Sequence, residues 1–305
     1  MRVSSNDVTL SVVIVTYNSS QHIGALLDSL PEALGSVSHS VTVVDNGSSD
    51  GTADLVEARG GVAMVRSTNT GFAAGINAGV RAFGEEGPIL VLNPDAVLMP
   101  GSVTSMLKVM ERSPEIGIVA PRMLEQDGSL SPSIRREPTL CRAGGLSFTG
   151  LAAFAERVED LKEYEIEHVV DWAVGAVLLI SRACFDALGG FDESYFLYSE
   201  ETDFCLRARD LGWLTIYTPS AHVMHIGGGS GETTTTHTMK MVNRVRIYGR
   251  RHGAVSAHLY FAVVVLTELR RAILGHKASW SSFRALVRPR LRPRELSASE
   301  TLVPK

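Results

Sequence analysis

This sequence predicts an α/β fold with a mostly parallel central sheet followed by C-terminal helices. Three observations carry the prediction. Continuous apolar runs at residues 11–15, 41–44 and 89–92 read as short strands buried on both faces. Segments with helical character separate them at short spacing. The polar, glycine-rich stretches always follow a strand, which gathers them on one edge of the sheet. In open α/β sheets ligands bind outside the carboxyl ends of the strands.

The elements follow in order. Ser11-Val12-Val13-Ile14-Val15 ends in Thr16-Tyr17-Asn18, and Ser19 or Ser20 can cap a helix carrying Ile23, Leu26, Leu27 and Leu30. Val41-Thr42-Val43-Val44 runs into Asp45-Asn46-Gly47-Ser48-Ser49-Asp50-Gly51, ahead of a helix over residues 52–59. Residues 62–65 form another strand, and Asn69-Thr70-Gly71 leads into a small-residue helix toward Phe83. Ile89-Leu90-Val91-Leu92 breaks at Asn93-Pro94-Asp95, because Pro94 cannot continue a central ladder.

The second part is less regular. A helix over 101–112, a strand over 116–120 and a hairpin over 122–133 turning at Gln126-Asp127-Gly128 are expected. Residues 135–156 have no period and read as a loop. Residues 168–180 fit one strand containing Gly175, and residues 200–211 a helix with Phe204, Leu206 and Leu211 inward. Two short strands, 213–217 and 221–226, precede Gly227-Gly228-Gly229, which ends the ordered body. Thr233-Thr234-Thr235-Thr236 reads as a linker to helices over 240–253 and 254–274, and from Ser279 the chain is expected to fray.

Composition narrows the class. A chain of 305 residues, 45% apolar and 20% charged, buries a substantial core and is not disordered. The cysteines Cys141, Cys184 and Cys205 form no CxxC pair, so neither a zinc site nor a disulfide framework is expected, and a reducing cytoplasm is. No signal peptide is expected at the N-terminus, and no apolar run reaches the ~18 residues of a membrane span. Residues 1–239 carry 15 Lys and Arg against 30 Asp and Glu, whereas residues 240–305 carry 14 against 3. That split predicts an acidic body with a basic tail facing something anionic. Nucleic acid is disfavoured, because the tail lacks a stacking aromatic pattern and the acidic body repels phosphate. The apolar run 260–266 before Arg270-Arg271 leaves two readings, an interfacial segment on an anionic membrane surface or a helix at a homodimer interface.

The chemistry sits in the strand-end motifs. Asp45, beside Thr16 and Tyr17, suits a carboxylate accepting a pyrimidine ring N–H with an aromatic nearby to stack, and the same residues suit a turn. No GxxxxGK[ST] occurs, and Gly71, Gly75 and Gly79 do not fit GxGxxG, so P-loop and dinucleotide chemistry are unsupported. Asp95 offers a carboxylate to a hard cation under a diphosphate, Asn93 adds a neutral oxygen, and His222 or His225 supplies a further ligand. The glycines after His225 suggest close backbone approach to a ligand. Glu200, Glu201 and Asp203 crowd a helix start behind an aromatic run; they suit the helix dipole, or a general base at a pocket rim.

Together these motifs resemble family 2 glycosyltransferases of the GT-A fold over residues 10–231. The blocks are 11–18 with 43–52, 69–79, 92–96, and 191–213 followed by 223–230. Within that family the chain is most similar to actinobacterial rhamnosyltransferases acting on polyprenyl-diphosphate-linked sugars, through Ser131-Pro132-Ser133-Ile134-Arg135-Arg136 and Phe191-Asp192-Glu193-Ser194-Tyr195-Phe196. The resemblance implies a GT-A domain over 1–231, with a nucleotide-sugar half to about residue 120 and an acceptor half after it, and a helical extension over 232–305. It implies that Thr16, Tyr17, Asn18, Asp45, Asn69, Gly71, Asn77, Asn93 and Asp95 hold the nucleotide sugar. Asp95 and His225 would carry Mg²⁺ or Mn²⁺, and Glu201 would be the base of an inverting transfer. Trp172, Gly175, Ala176, Glu200, Asp203, Arg135 and Arg136 would line the acceptor site. The implied donor is dTDP-L-rhamnose or a UDP-sugar and the implied acceptor a polyprenyl-diphosphate-linked saccharide, for an enzyme peripheral on the inner face of the plasma membrane. Two departures stand out: Asn93 replaces the first Asp of the family's DxD, and Glu201 stands where Asp is more usual.

Overall fold

The computed structural model describes residues 9–83, 86–226, 233–296 and 301–303. Its sheet is organised on β1 (Leu10–Thr16), all seven residues of which are buried. β1 pairs in parallel with β2 (His39–Asp45) on one side and β4 (Ile89–Leu92) on the other. β3 (Ala63–Arg66) continues the parallel series beyond β2. Helices α1 (Ile23–Leu34), α2 (Thr52–Arg59) and α3 (Phe72–Phe83) make the crossovers.

The apolar runs are continuous because both faces are covered. Leu10, Val12 and Ile14 pack with Leu26 of α1 and with Val103 and Met106 of α4 (Ser102–Met110). Val13 and Val15 pack on the opposite face with Ala73 and Ile76 of α3. Each such Val, Leu or Ile contributes about 1.5–3 kcal/mol on burial, so a four-residue strand such as β4 suffices. The glycines spaced by four on α3 now have a reason. A Cβ on Gly75 would lie 2.7 Å from Val15 Cγ1 and one on Gly79 2.5 Å from Val13 Cγ1, so they let the helix axis approach the strand.

The second half threads back through the same sheet. β5 (Ala96–Leu98), β6 (Ile116–Leu124), β8 (His168–Val169), β10 (Val177–Ile180) and β11 (Leu214–His225) complete nine strands in the order β3-β2-β1-β4-β10-β6-β11-β5, with β8 against β11. β10 runs antiparallel between β4 and β6, β11 is parallel to β6, and β5 is antiparallel to β11. β7 (Ile134–Arg135) and β9 (Trp172–Ala173) form a separate pair. Helices α5 (Leu140–Ala143), α6 (Arg182–Ala187) and α7 (Glu200–Asp210) lie between strands, and α8 (Thr234–Arg251), α9 (Ala254–Ile273) and α10 (Lys277–Val287) follow them.

Several expectations need correcting. The N-cap of α1 is His22; Ser19 contributes its carbonyl, which accepts from the His22 and Ile23 N–H groups. Residues 168–180 are three short strands with different partners, because the chain leaves β11 for β7 and then enters the main sheet. Residues 213–226 instead form one strand with a register shift between Thr218 and His222. The hairpin over 122–133 reduces to a turn closed by a Leu124–Leu130 bridge. Leu211 is 59% exposed, not inward. The threonine linker is the start of α8, where Thr233 and Thr236 form a reciprocal capping box. The expected fraying after Ser279 is α10, whose small buried residues Ser279, Ser282 and Ala285 let it pack closely on α8 and α9. Gly227-Gly228-Gly229 lies outside the described residues.

Residues 135–156 are strapped to the extension. Ala143 packs in one apolar cluster with Val242, Tyr260 and Leu286. Thr267 donates to the Ala143 carbonyl, Arg270 to that of Gly145, and Arg244 pairs with Glu156 at 2.5 Å. Part of the tail's positive charge is therefore used inside the molecule. Arg250 pairs with Asp192 at 2.6 Å and Arg251 with Asp210 at 2.8 Å.

Candidate active site

The register of β1 against β2 sets Thr16 opposite Asp45. Asp45 is 3% exposed, and its carboxylate accepts from Thr16 Oγ1 (3.1 Å), Ser48 Oγ (2.5 Å) and the Ser48 N–H (3.0 Å). A carboxylate has about four acceptor positions, so roughly one is left for an incoming N–H. Tyr17, the next residue, is 54% exposed, with a ring available for stacking. Asn18, at φ 50°, stitches the two loops: its N–H donates to Ser48 Oγ and its Oδ1 accepts from the Ser49 N–H.

Other donor-side residues turn out to brace the site. Asn69 Oδ1 accepts from the Gly71 N–H at 3.3 Å. Gly71 has φ +95°, and a Cβ there would fall 2.3 Å from the Phe196 carbonyl oxygen, so only glycine fits. Asn77 is buried with its amide engaged: Nδ2 donates to the Phe191 carbonyl and Glu193, and Oδ1 accepts from the Phe191 N–H. That geometry makes Asn77 a tie between α3 and residues 191–193. Asn46 is a residue the sequence did not single out: it is 3% exposed, it donates to the Gly71 carbonyl, and its Oδ1 has no hydrogen-bond partner. Its turn-like surroundings hid it.

Asp95 and His225 meet because β5 pairs with β11. His225 lies opposite Ala96, and the Ile226 N–H donates to the Asp95 carbonyl. Asp95 Oδ1 and His225 Nε2 are 3.2 Å apart, yet both are buried atoms without an aligned hydrogen bond. Two acceptor atoms at this separation suit adjacent ligands of one cation with bonds of about 2.0–2.2 Å. The Asp95 carboxylate raises the His225 pKa above its ordinary value. Among the described residues no cluster of three or more His, Cys, Asp or Glu could hold a metal. The residues present therefore fit a cation that takes its remaining ligands from substrate and water, as Mg²⁺ commonly does. His222 is exposed on the other face of β11. Asn93 joins the neighbouring strand through its N–H, which donates to the Ala176 carbonyl at 2.8 Å.

Across this edge stand Glu200 and Glu201. Glu200 is 4% exposed and Glu201 half-buried, and Oε2 of each lacks a hydrogen-bond partner. Burial pushes both pKa values up, that of Glu200 well up, with the charge of Glu201 adding to the rise at Glu200. The backbone N–H groups of Glu201 and Thr202, then the charges of Arg135 and Lys240, oppose that rise at Glu201. The pair is thus asymmetric: Glu200 is pushed further toward its neutral form than Glu201, which suits Glu201 as the more ionisable member. Gly175 belongs to this arrangement, since a Cβ there would press on Glu201 Cβ at 3.1 Å. The turn into α7 is strained, with Tyr198 at φ 68° and Ser199 at φ 74°. Each left-handed non-glycine residue costs roughly 1–2 kcal/mol.

The remaining acceptor-side residues divide. Trp172 is buried and donates its indole N–H to the Arg136 carbonyl, forming wall. Arg135 lies 6.0 Å over that ring, and its Nη1 donates to the carbonyls of Pro132 and Ile134, leaving its charge felt at Glu201. Arg136 is half-buried and donates weakly to the Ala155 carbonyl. Asp203 is taken by Arg207 at 2.6 Å, which also holds the carbonyls of Leu188 and Gly190. Through this ion pair it braces α7.

Asp45 with Tyr17, Asp95 with His225, and the carboxylates of Glu200 and Glu201 are thus the candidate groups of the site. The sheet that carries them is that of a GT-A glycosyltransferase. The chain belongs to glycosyl transferase family 2, whose model matches residues 11–168. It is 35% identical over 237 residues to the N-acetylglucosaminyl-diphospho-decaprenol L-rhamnosyltransferase of Mycobacterium tuberculosis, spanning 71% of this chain and 75% of that one. It is 32% identical over 204 residues to a low-salt glycan biosynthesis hexosyltransferase of Haloferax volcanii, spanning 66% and 61%. The fold is shared with a mannosyltransferase from Pyrobaculum calidifontis solved with GDP-Man and Mn²⁺, at TM-score 0.56 and 16% identity over 91% of this chain and 84% of that one.

Proposed function

We propose that this hexosyltransferase moves L-rhamnose from dTDP-L-rhamnose onto a polyprenyl-diphosphate-linked saccharide, in an inverting, cation-assisted reaction that builds a cell-envelope polysaccharide. The observation that carries the reading is the half-buried Asp95–His225 pair, whose facing Oδ1 and Nε2 lie 3.2 Å apart on the same edge as Asp45. Sugar and acceptor rest on the 35% identity to the mycobacterial rhamnosyltransferase.

Asp45 and Tyr17 receive the base, and Asp95 with His225 would hold Mg²⁺ or Mn²⁺. The bound cation supplies charge neutralisation for the departing nucleoside diphosphate. Glu201 takes the proton of the acceptor hydroxyl as its oxygen attacks the anomeric carbon from the face opposite the leaving group. Arg135 lies beside Glu201 and favours its ionised form before the proton moves. Arg136 faces the acceptor diphosphate.

Among the described residues no helix is long and apolar enough to cross a membrane. Val255, Leu259, Leu266 and Ile273 of α9 and Trp280 of α10 are exposed, which supports the extension resting on an anionic membrane surface on the cytoplasmic side. Flotation with anionic vesicles tests this: loss of binding on replacing Leu259 and Leu266 by Ser supports it, and unchanged binding of that variant or none by the wild type refutes it. The chemistry is tested by a panel of nucleotide sugars with a polyprenyl-diphosphate-linked N-acetylglucosamine acceptor, with Mg²⁺, Mn²⁺ or EDTA. Transfer from dTDP-L-rhamnose that EDTA abolishes is expected. Faster transfer from another hexose would overturn the donor, and transfer undiminished by EDTA would overturn the cation.

A further inference from the structure

One residue of the extension holds the turn that leads into the site. Asn243 on α8 is 0% exposed, and its Nδ2 donates to two successive carbonyls, Leu197 at 3.0 Å and Tyr198 at 2.9 Å. These carbonyls belong to the turn in which Tyr198 and Ser199 both adopt left-handed φ, directly before Glu200 and Glu201. Around it, Arg246 of α8 donates to the Ser194 carbonyl at 2.7 Å, and the Phe72 N–H donates to that of Phe196 at 2.9 Å. Phe196, Leu197 and Tyr198 pack into the cluster formed by α8, α9 and α10.

We propose that Asn243 is a positioning residue for Glu201: by holding the left-handed turn, it sets the angle at which α7 presents the base. The proposal rests on Glu201 being the base. A primary amide suits the task, since one NH₂ group offers two donors that can bridge neighbouring carbonyls. Two adjacent non-glycine residues leave the left-handed region unless something holds them there. Without Asn243 the turn relaxes and rotates the first turn of α7, whose N-cap Ser199 makes no side-chain cap hydrogen bond. The helical extension is thereby part of the catalytic geometry, although it carries no group that reacts.

The test uses the full chain with Asn243→Ala, Asn243→Ser, and Asn243→Ala combined with Ser199→Gly. Asn243→Ala should lower kcat on the order of 10²-fold, as a misplacement of about 1 Å does, with the donor KM unchanged. Asn243→Ser, with one donor, should fall between. Ser199→Gly should restore most of the lost kcat, because glycine adopts left-handed φ without a hold. Amide exchange across residues 200–204 should speed up in Asn243→Ala and slow again in the double variant. An unchanged kcat in folded Asn243→Ala overturns the proposal. So does a loss that Ser199→Gly fails to restore while Tm falls, which marks Asn243 as packing alone; if Asn243→Ala does not fold, Asn243→Ser carries the same comparison. Glu201→Gln run beside them separates the two ideas. Turnover retained there removes the base assignment, whereas the exchange data report on the turn regardless.

Discussion

The donor edge and the acceptor wall are built in opposite ways. On the donor edge, apart from the Asp95–His225 pair, the functional residues follow their own strands: Thr16 ends β1, Asp45 ends β2, and Asn93 follows β4. Parallel register alone then brings them together. The acceptor wall is assembled from distant pieces. Gly175 accommodates Glu201, Trp172 donates to the Arg136 carbonyl, and Asn243 holds the turn at 197–199. Local sequence sets chemistry on the first side, and tertiary contact sets it on the second. Damage should therefore stay local on the donor edge and spread on the acceptor wall.

Four substitutions probe that contrast, from the largest effect down. Glu201→Gln keeps the shape of the side chain but removes the base, so transfer should fall on the order of 10²–10⁴-fold with an unchanged melting curve. Wild-type turnover in that variant would end the assignment. Asp95→Ala should abolish the Mg²⁺-dependent part of nucleotide-sugar binding while leaving the cation-independent part; calorimetry with and without Mg²⁺ that shows no difference from wild type would contradict it. Gly71→Ala should damage both sides at once, since its Cβ meets the Phe196 backbone at 2.3 Å. Overpacking of this kind costs about 1–3 kcal/mol, readable as a lower Tm together with reduced donor affinity and reduced kcat. If only donor affinity falls, the two regions are less joined than Phe196 implies.

Glu200→Gln should have the smallest effect on turnover, because burial and the neighbouring Glu201 favour the neutral form of Glu200, which Gln imitates in shape. Its signature lies in stability. A buried carboxyl with a raised pKa binds its proton more tightly when folded, so stability falls as pH rises from the ordinary glutamate range through the raised value. Glu200→Gln should flatten that slope in pH-dependent thermal melts. A slope equal to that of wild type would show that Glu200 is not the group responsible.

The same contrast explains what the sequence revealed. Ile89–Leu92 was readable to the residue, because four apolar residues between turn signals leave little choice. β5 was not, since Ala96–Leu98 is three residues long and exists by pairing with β11. Asp95 and His225 could thus be nominated from their motifs, but the reason they meet lay in a strand with no local signature. Asp203 and Asn77 sit in motifs that read as functional, and the structure shows both braced to neighbouring elements. From Ser279 on, the basic, Pro-interrupted sequence reads as a fraying end, yet buried Ser279, Ser282 and Ala285 need only neighbours to pack against. Asn243 had no signal at all, being a single amide in a helix whose partner turn is 45 residues away.

The pairing of β5 with β11 has a consequence for metal choice. Side chains alternate along a strand, so a slip of one residue would bring Met224 or Ile226 to the position of His225. A thioether or a hydrocarbon is a poor companion to a carboxylate for a hard cation. If Asp95 and His225 hold the proposed cation, sheet register, fixed by three residue pairs at the end of the strand order, would act as a selector of inorganic chemistry. Insertions or deletions near residues 96–98 should change which ion the enzyme accepts before they change the sugar it transfers.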